Sequence, residues 1–321
     1  MKGLDAEHRP CCLVTGANGF IGSELMAYLP ARGVPVRGAV RQISGVKGDY
    51  SQVSGLGAET DWRDALQGCD VVVHAAGRAH VLNDPIDDQL ALFRQVNVAG
   101  TLALARQALA MGVRRFVFIS SIGVNGIRNV RAFTEEDIPA PVAPYAQSKL
   151  EAELGLQALV EGQPMELVII RPPLVYAAHA PGNFARLLRL VAMGVPLPLA
   201  YLRNQRSMIA LENLVSLIHL CVTHPKAAGE LFLAADGEDV STPELLRVLA
   251  QGMGRSPRLW PMPRGLLALG ARLSGKQTLY TQLCDSLRID AAKARHVLGW
   301  QPPRRALEAL LESGRRYAAH H

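Results

Sequence analysis

Two residues able to move a proton stand four apart in PYAQSK, residues 144–149: Tyr145 and Lys149. Pro144 suits the first turn of a helix, where its missing N–H costs no hydrogen bond, and the SKLEAELGLQALVEG beyond it keeps helical spacing up to Gly162. One helical face therefore carries both side chains. A phenol with the ordinary pKa of about 10 is a poor acid or base near neutrality until nearby positive charge stabilises its phenolate, and an ammonium one turn away supplies that charge. An isolated Tyr-x-x-x-Lys is more often a solvated pair on an amphipathic helix, so proton transfer needs support from elsewhere in the chain.

The second chemical signal is TGANGFIG, which spaces Gly16, Gly19 and Gly22 three apart between the apolar run CCLVT and the helical pattern FIGSELMAYLPARG. Glycines between a strand and a helix permit a tight turn and let a pyrophosphate approach backbone N–H groups at the positive end of the helix. A glycine-rich turn alone is weak; flanked in this way it points to a dinucleotide. A cofactor without a ribose phosphate usually finds an Asp or Glu at the end of the second strand, but here that strand ends VRGAVR. Arg41, helped by Arg37, suits the 2′-phosphate of NADP through a guanidinium fork, unless Arg41 is simply a solvated strand end.

These groups need a scaffold. Apolar runs at VPVRGAV, DVVVHAA, RFVFIS and ELVIIR alternate with helical segments such as LFRQVNVAGTLALARQALAMG, which implies α/β architecture with a doubly wound parallel sheet. Residues 1–171 form the expected dinucleotide-binding domain, with 207–235 returning to it; 172–206 and 236–321 form a smaller, mainly helical C-terminal lobe.

The 321 residues, 49% hydrophobic and 19% charged, suffice for a full core. MKGLDAEHRP resembles neither a signal nor a transit peptide, and the short apolar GLLALGARL at 265–273 reads as a packed helix, so no membrane span is expected. Five cysteines without ligand spacing read as reduced thiols of a cytoplasmic protein with no metal. Residues 251–321 hold 12 Lys/Arg against 4 Asp/Glu, so +8 of the net +6 lies there and the rest carries −2. Such a segment suits a phosphorylated substrate or an anionic membrane surface, and equally a merely solvated basic face. With no basic run interleaved with aromatics, a nucleic-acid partner is not expected.

In order and spacing, TGANGFIG, Asp61, HAAG (74–77), NVAGT (97–101), SSIGV (120–124), YAQSK, RPPLVY (171–176), RSMIALEN and DAAKARHVLGW together resemble the extended short-chain dehydrogenase/reductases, in their NAD-dependent epimerase/dehydratase branch acting on nucleotide sugars. The resemblance implies a Rossmann-type domain with Tyr145 as general acid/base, Lys149 as its helper and Ser121 as the third catalytic member. It further implies cofactor contacts from Gly16, Asn18, Gly19, Phe20, Ile21 and Gly22, from Arg41, Asp61, Trp62, Ala75, Ala76 and Gly77, and from Asn97, Lys149 and Pro172. Ser121, Asn183, Arg206 and Arg288 are the implied substrate contacts, Arg206 gripping the diphosphate of a UDP-sugar. A homodimer through a four-helix interface is implied as well.

Dehydratases of this branch follow the catalytic Thr with an Asp-Glu pair, whereas Ile122 and Gly123 follow Ser121 here. What remains is hydride chemistry at one carbon. RAHVLND, SSIGVNG and GNFARLLRLV resemble the reductases of UDP-4-keto-6-deoxy-N-acetylhexosamine in surface-polysaccharide synthesis, with NADP somewhat favoured over NAD. Ala177, Ala178 and His179 depart from the glycine and proline expected there, and Asn213 from a frequent Asp. The alternatives are a UDP-hexose 4-epimerase with tightly held NAD and, more remotely, a non-catalytic NADP sensor, although such sensors commonly lack the Tyr/Lys pair. A reductase of steroid or flavonoid type would share the catalytic residues without needing Arg206.

Overall fold

The computed structural model describes residues 11–43, 45, 47–79 and 88–320. The N-terminal MKGLDAEHRP and residues 80–84 of RAHVLND therefore lie outside the described residues. The chain runs β1 (Cys11–Thr15), α1 (Phe20–Tyr28), β2 (Val36–Val40), β3 (Tyr50–Gln52), α2 (Arg63–Leu66), β4 (Cys69–His74) and α3 (Gln89–Phe93). A π-helical stretch, Arg94–Gly100, leads into α4 (Thr101–Ala110), followed by β5 (Arg115–Ile119), α5 (Pro144–Val160) and β6 (Glu166–Arg171). Then come β7 (Leu174–Tyr176), α6 (Gly182–Ala192), β8 (Met208–Ala210), α7 (Leu211–Thr223), β9 (Leu231–Leu233) and α8 (Thr242–Gly252). Four helices close the chain: α9 (Arg264–Leu273), α10 (Gln277–Cys284), α11 (Ala292–Leu298) and α12 (Ala306–His320).

The apolar runs form one seven-stranded sheet in the order β3-β2-β1-β4-β5-β6-β9, its described pairings parallel. After β3 the order jumps to β4 on the far side of β1, so two neighbouring strands send their chains in opposite directions and leave a crevice at their carboxyl ends. This is the Rossmann architecture. Leu13, Val72, Phe116 and Phe118 from its strands pack with Leu104, Ala152 and Leu156 from α4 and α5. All five cysteines are free thiols, four of them buried.

Two compact units emerge. One comprises Met1–Ser120, Ala143–Ile170 and Ile218–Leu231; the other comprises Ser121–Val142, Arg171–Leu217 and Phe232–His321. The division departs from the expected one at 121–142, at 207–217 and at 232–235, since only 218–231 of the expected 207–235 fall with the first unit. Residues 121–142, expected with the sheet, hydrogen-bond the late segment instead: Asn129 N–H to Ser286 O at 3.1 Å and Phe133 N–H to Arg288 O at 2.9 Å. Residues 207–217, expected to return to the sheet domain, stay in the second unit, where β8 pairs with β7 and Ser207 N–H donates to Leu287 O at 2.9 Å.

Candidate active site

The glycine turn is built by close approach. Gly16 sits at φ 65°, and a Cβ there would lie 3.0 Å from Ala76 Cα; one at Gly22 would lie 2.1 Å from Gly16 O. Gly19 N–H donates to Gly16 O at 2.8 Å and then begins α1 with no side chain capping it. The positive end of α1 thus opens beside the crevice between β1 and β4. Asn18 is exposed, and Phe20 and Ile21 are half-buried. Ala75, Ala76 and Gly77 follow β4 on the facing loop, where Ala76 N–H donates to Thr15 Oγ1 at 3.2 Å.

His74, at the end of β4, ties the end of β1 to the start of α4. Its Nδ1 lies 2.7 Å from Thr15 Oγ1 and its Nε2 2.9 Å from Thr101 Oγ1, while burial and the Lys149 charge push its pKa down to about 3. It is a neutral structural histidine.

The end of β2 revises one expectation. Arg37 is bound near the opposite end of the strand, its guanidinium donating to Gln67 O at 2.7 Å and to Asp49 at 3.2 Å. It is not available to help Arg41, which is exposed just beyond Val40. Trp62 is a second revision: its indole is 1% exposed, in the core with Leu66 and Leu104, so its side chain is spent on packing. Asp61 remains outside, where its hydrogen bonds from Arg63 hold its carboxyl down at about 2.

Pro144 is the first residue of α5, as its chemistry requires, and Tyr145 follows on the first turn. The phenol ring lies edge-on to Phe93, centroids 5.9 Å apart, and burial pushes its pKa up to about 12. One turn on, Lys149 is buried, its Nζ donating to Ile119 O at 2.8 Å and standing 4.5 Å from the Phe118 ring centre. Burial draws the ammonium down to about 8, and the Glu153 charge partly opposes that. Asn97 braces the approach: its Oδ1 accepts Arg78 N–H at 2.9 Å and its Nδ2 donates to Ser148 Oγ at 3.0 Å. A Cβ on Gly77 would come within 3.2 Å of Asn97 Oδ1 and 3.5 Å of Lys149 Nζ, so the loop after β4, the π-helical stretch and α5 meet at one place.

Glu153 was not singled out in the sequence. It is 1% exposed, one turn beyond Lys149 on the same face, and accepts a short hydrogen bond from Ser120 Oγ. The 145, 149, 153 spacing was the available signal. Ser120 is thereby committed to Glu153. Ser121, extended at φ −156° and half-buried, accepts Gly123 N–H at 3.1 Å and so opens a single 3-10 turn, Ile122–Val124.

In the second unit, residues 282–288 gather the remaining candidates. Asn183 Nδ2 donates to Gln282 Oε1 at 3.1 Å, Arg206 Nη1 to Asp285 O at 3.0 Å, and Arg288 Nε to Asp239 at 2.8 Å. Burial lowers the pKa of Arg206. Pro172 is buried, its carbonyl accepting Ile122 N–H at 2.9 Å. Ala177, Ala178 and His179 form a turn closed by Ala180 N–H to Ala177 O at 3.0 Å. Asn213 donates to the buried Asp236 at 2.7 Å and to Arg304 O at 2.8 Å; an Asp there would face a second carboxylate instead. Among the described residues, no helix is long and apolar enough to cross a membrane, and no three His, Cys, Asp or Glu gather as a metal would need.

The NAD dependent epimerase/dehydratase family matches residues 12–235. The UDP-glucose 4-epimerase of Vibrio cholerae is 41% identical over 310 residues, 95% of this chain and 94% of its own length. The N-acetyl-α-D-glucosaminyl-diphospho-ditrans,octacis-undecaprenol 4-epimerase of Escherichia coli O157:H7 is 26% identical, covering 91% and 90%. The fold superposes on that of the UDP-glucuronic acid 4-epimerase from Bacillus cereus in complex with NAD, with a TM-score of 0.78 and 21% identity over 97% of this chain and 99% of the other. With a crevice at the reversal of strand order, a glycine turn beside it and a Tyr/Lys pair one helical turn apart in the same unit, this chain belongs to the NAD dependent epimerase/dehydratase family, the extended short-chain dehydrogenase/reductases.

Proposed function

We propose that the protein is a UDP-hexose 4-epimerase, acting on UDP-glucose or UDP-N-acetylglucosamine with tightly held NAD. One observation carries this reading: a 41% relationship to a UDP-glucose 4-epimerase over 95% of the chain, in a protein whose half-buried Tyr145 and buried Lys149 stand one turn apart on the same helix. The glycine cradle fits a dinucleotide, because the close approach of Gly16, Gly19 and Gly22 leaves backbone rather than side chains at the N-terminus of α1. Gly16, Asn18, Gly19, Phe20, Ile21 and Gly22 hold the diphosphate in this reading, with Ala75, Ala76, Gly77, Asn97 and Pro172 lining the groove and Asp61 at the adenine. Bound there, NAD supplies a hydride acceptor and donor. Tyr145 takes the proton of the C4 hydroxyl as the C4 hydrogen leaves, and returns it after the ketone has presented its other face. Lys149 stabilises the phenolate and binds the ribose, and Ser121 orients the sugar oxygen. Asn183, Arg206 and Arg288 hold the nucleotide diphosphate, and α4 with α5 pairs two copies into a homodimer.

The reading as a reductase of a UDP-4-keto-6-deoxy-N-acetylhexosamine keeps one specific support: Arg41, rather than an acidic residue, is exposed after β2 and suits NADP. Identifying the cofactor released from denatured, purified protein separates the two. Stoichiometric NAD is expected. Release of NADP, or of none, would favour the reductase. Under that second reading Arg41→Asp would weaken NADPH more than NADH.

A further inference from the structure

Helix α9 turns its apolar residues the wrong way for a packed element. Leu266 is 57% exposed, Leu269 53% and Leu273 80%, and no residue of the helix is buried. At about 100° per residue the three leucines fall within an arc of about 60°. The opposite side, Arg264, Ala268 and Ala271, lines a shallow cleft with Tyr280 and Thr281 of α10. The helix thus faces its own unit with alanines and the half-buried Leu267 and presents its other three leucines outward, unlike the packed helix that GLLALGARL suggests. Trp260 and Leu279, before and after it, are exposed as well.

The charge around this stripe has one sign. Residues 251–284 contain Arg255, Arg258, Arg264, Arg272 and Lys276 and no Asp or Glu. Arg264 is tied to Asp285 at 2.6 Å and Arg255 to Ala192 O. Arg258, Arg272 and Lys276 are exposed. A leucine stripe flanked by cations, on a helix of 10 residues that is too short to span a bilayer, matches an element lying in the headgroup region of an anionic membrane. A second copy of the chain would bring a like-charged segment against itself.

We propose that α9 and its basic flanks form a peripheral docking surface for an anionic lipid bilayer, with Leu266, Leu269 and Leu273 entering the interface and Arg258, Arg272 and Lys276 meeting the headgroups. Co-sedimentation of the full chain with vesicles of phosphatidylglycerol and phosphatidylcholine, against phosphatidylcholine alone, tests it. Binding is expected to the anionic vesicles, to weaken with added salt, and to fall about a hundredfold or more in Leu266→Glu/Leu269→Glu/Leu273→Glu. Arg272→Ala/Lys276→Ala should lose about fivefold per charge. All five positions are exposed, and unchanged thermal melting confirms that the variants fold. Absence of the wild type from the vesicle pellet, equal binding to neutral vesicles, or full binding by the leucine variant would each overturn the proposal. So would a dimer that the leucine variant dissociates in a protein that ignores vesicles, since that assigns the stripe to a second copy.

Discussion

The Tyr145 phenol, pushed up to about 12 by burial, keeps its proton at neutral pH until positive charge is brought to it, and Lys149 is the cation on its helical face. Tyr145→Phe should therefore cut turnover by about a hundredfold to ten-thousandfold while UDP-sugar binding, read by calorimetry, survives. Lys149 carries a stability signature of its own. Its folded value of about 8 lies below the ordinary 10.5, so between those values the unfolded chain binds the extra proton and stability rises with pH. Below pH 8 the cost of burying the ammonium is present in full. Relative to Lys149→Met, wild type should gain about 2 kcal/mol between pH 8 and about pH 10, measurable by urea denaturation. Glu153 raises the Lys149 pKa from one turn away, so Glu153→Gln should lower it and move the alkaline limb of turnover to lower pH by about one unit. A variant with an unmoved limb and only reduced stability would make Glu153 a structural residue.

At the scale of elements, Gly22 shows how tightly strand, turn and helix are fitted, since an added Cβ would lie 2.1 Å from Gly16 O. Gly22→Ala should cost about 1–3 kcal/mol in thermal melting and weaken NADH binding, read by fluorescence titration, by about tenfold or more. This turn was legible in the sequence because glycines at fixed spacing have few structural meanings, and so was the helix beginning at Pro144. Other features were hidden for physical reasons. Arg37 and Arg41 both belong to VRGAVR, and only strand direction and the carbonyl of Gln67 show that one is spoken for. Glu151 and Glu153 look alike within a helix, yet Glu151 pairs with Arg94 in solvent while Glu153 lies buried against Ser120. Trp62 beside Asp61 reads as a cofactor contact until the core closes over it. Periodicity also finds the leucine stripe of α9 without saying which way it faces.

For the molecule as a whole, the proposed pairing through α4 and α5 leaves Leu154 of α5, exposed in the single chain, to be covered by the second copy. Sedimentation velocity should show a dimer, and Leu154→Glu should shift it toward monomer by about tenfold or more in dissociation constant. A monomeric wild type would end that assignment without touching the chemistry. The proposed chemistry rests on reversible proton and hydride exchange at one carbon with no net oxidation. Its most direct measurement is the incubation of UDP-glucose, and separately UDP-N-acetylglucosamine, with purified protein and no added cofactor or reductant, followed by chromatography of the sugar products. Conversion of one of them to its C4 epimer, reaching the same ratio from either side and lost in Tyr145→Phe, is the expected result. Unchanged substrate in both incubations, from protein that oxidises NADPH stoichiometrically when given a UDP-4-keto-6-deoxy sugar, would contradict epimerisation and make the protein a reductase.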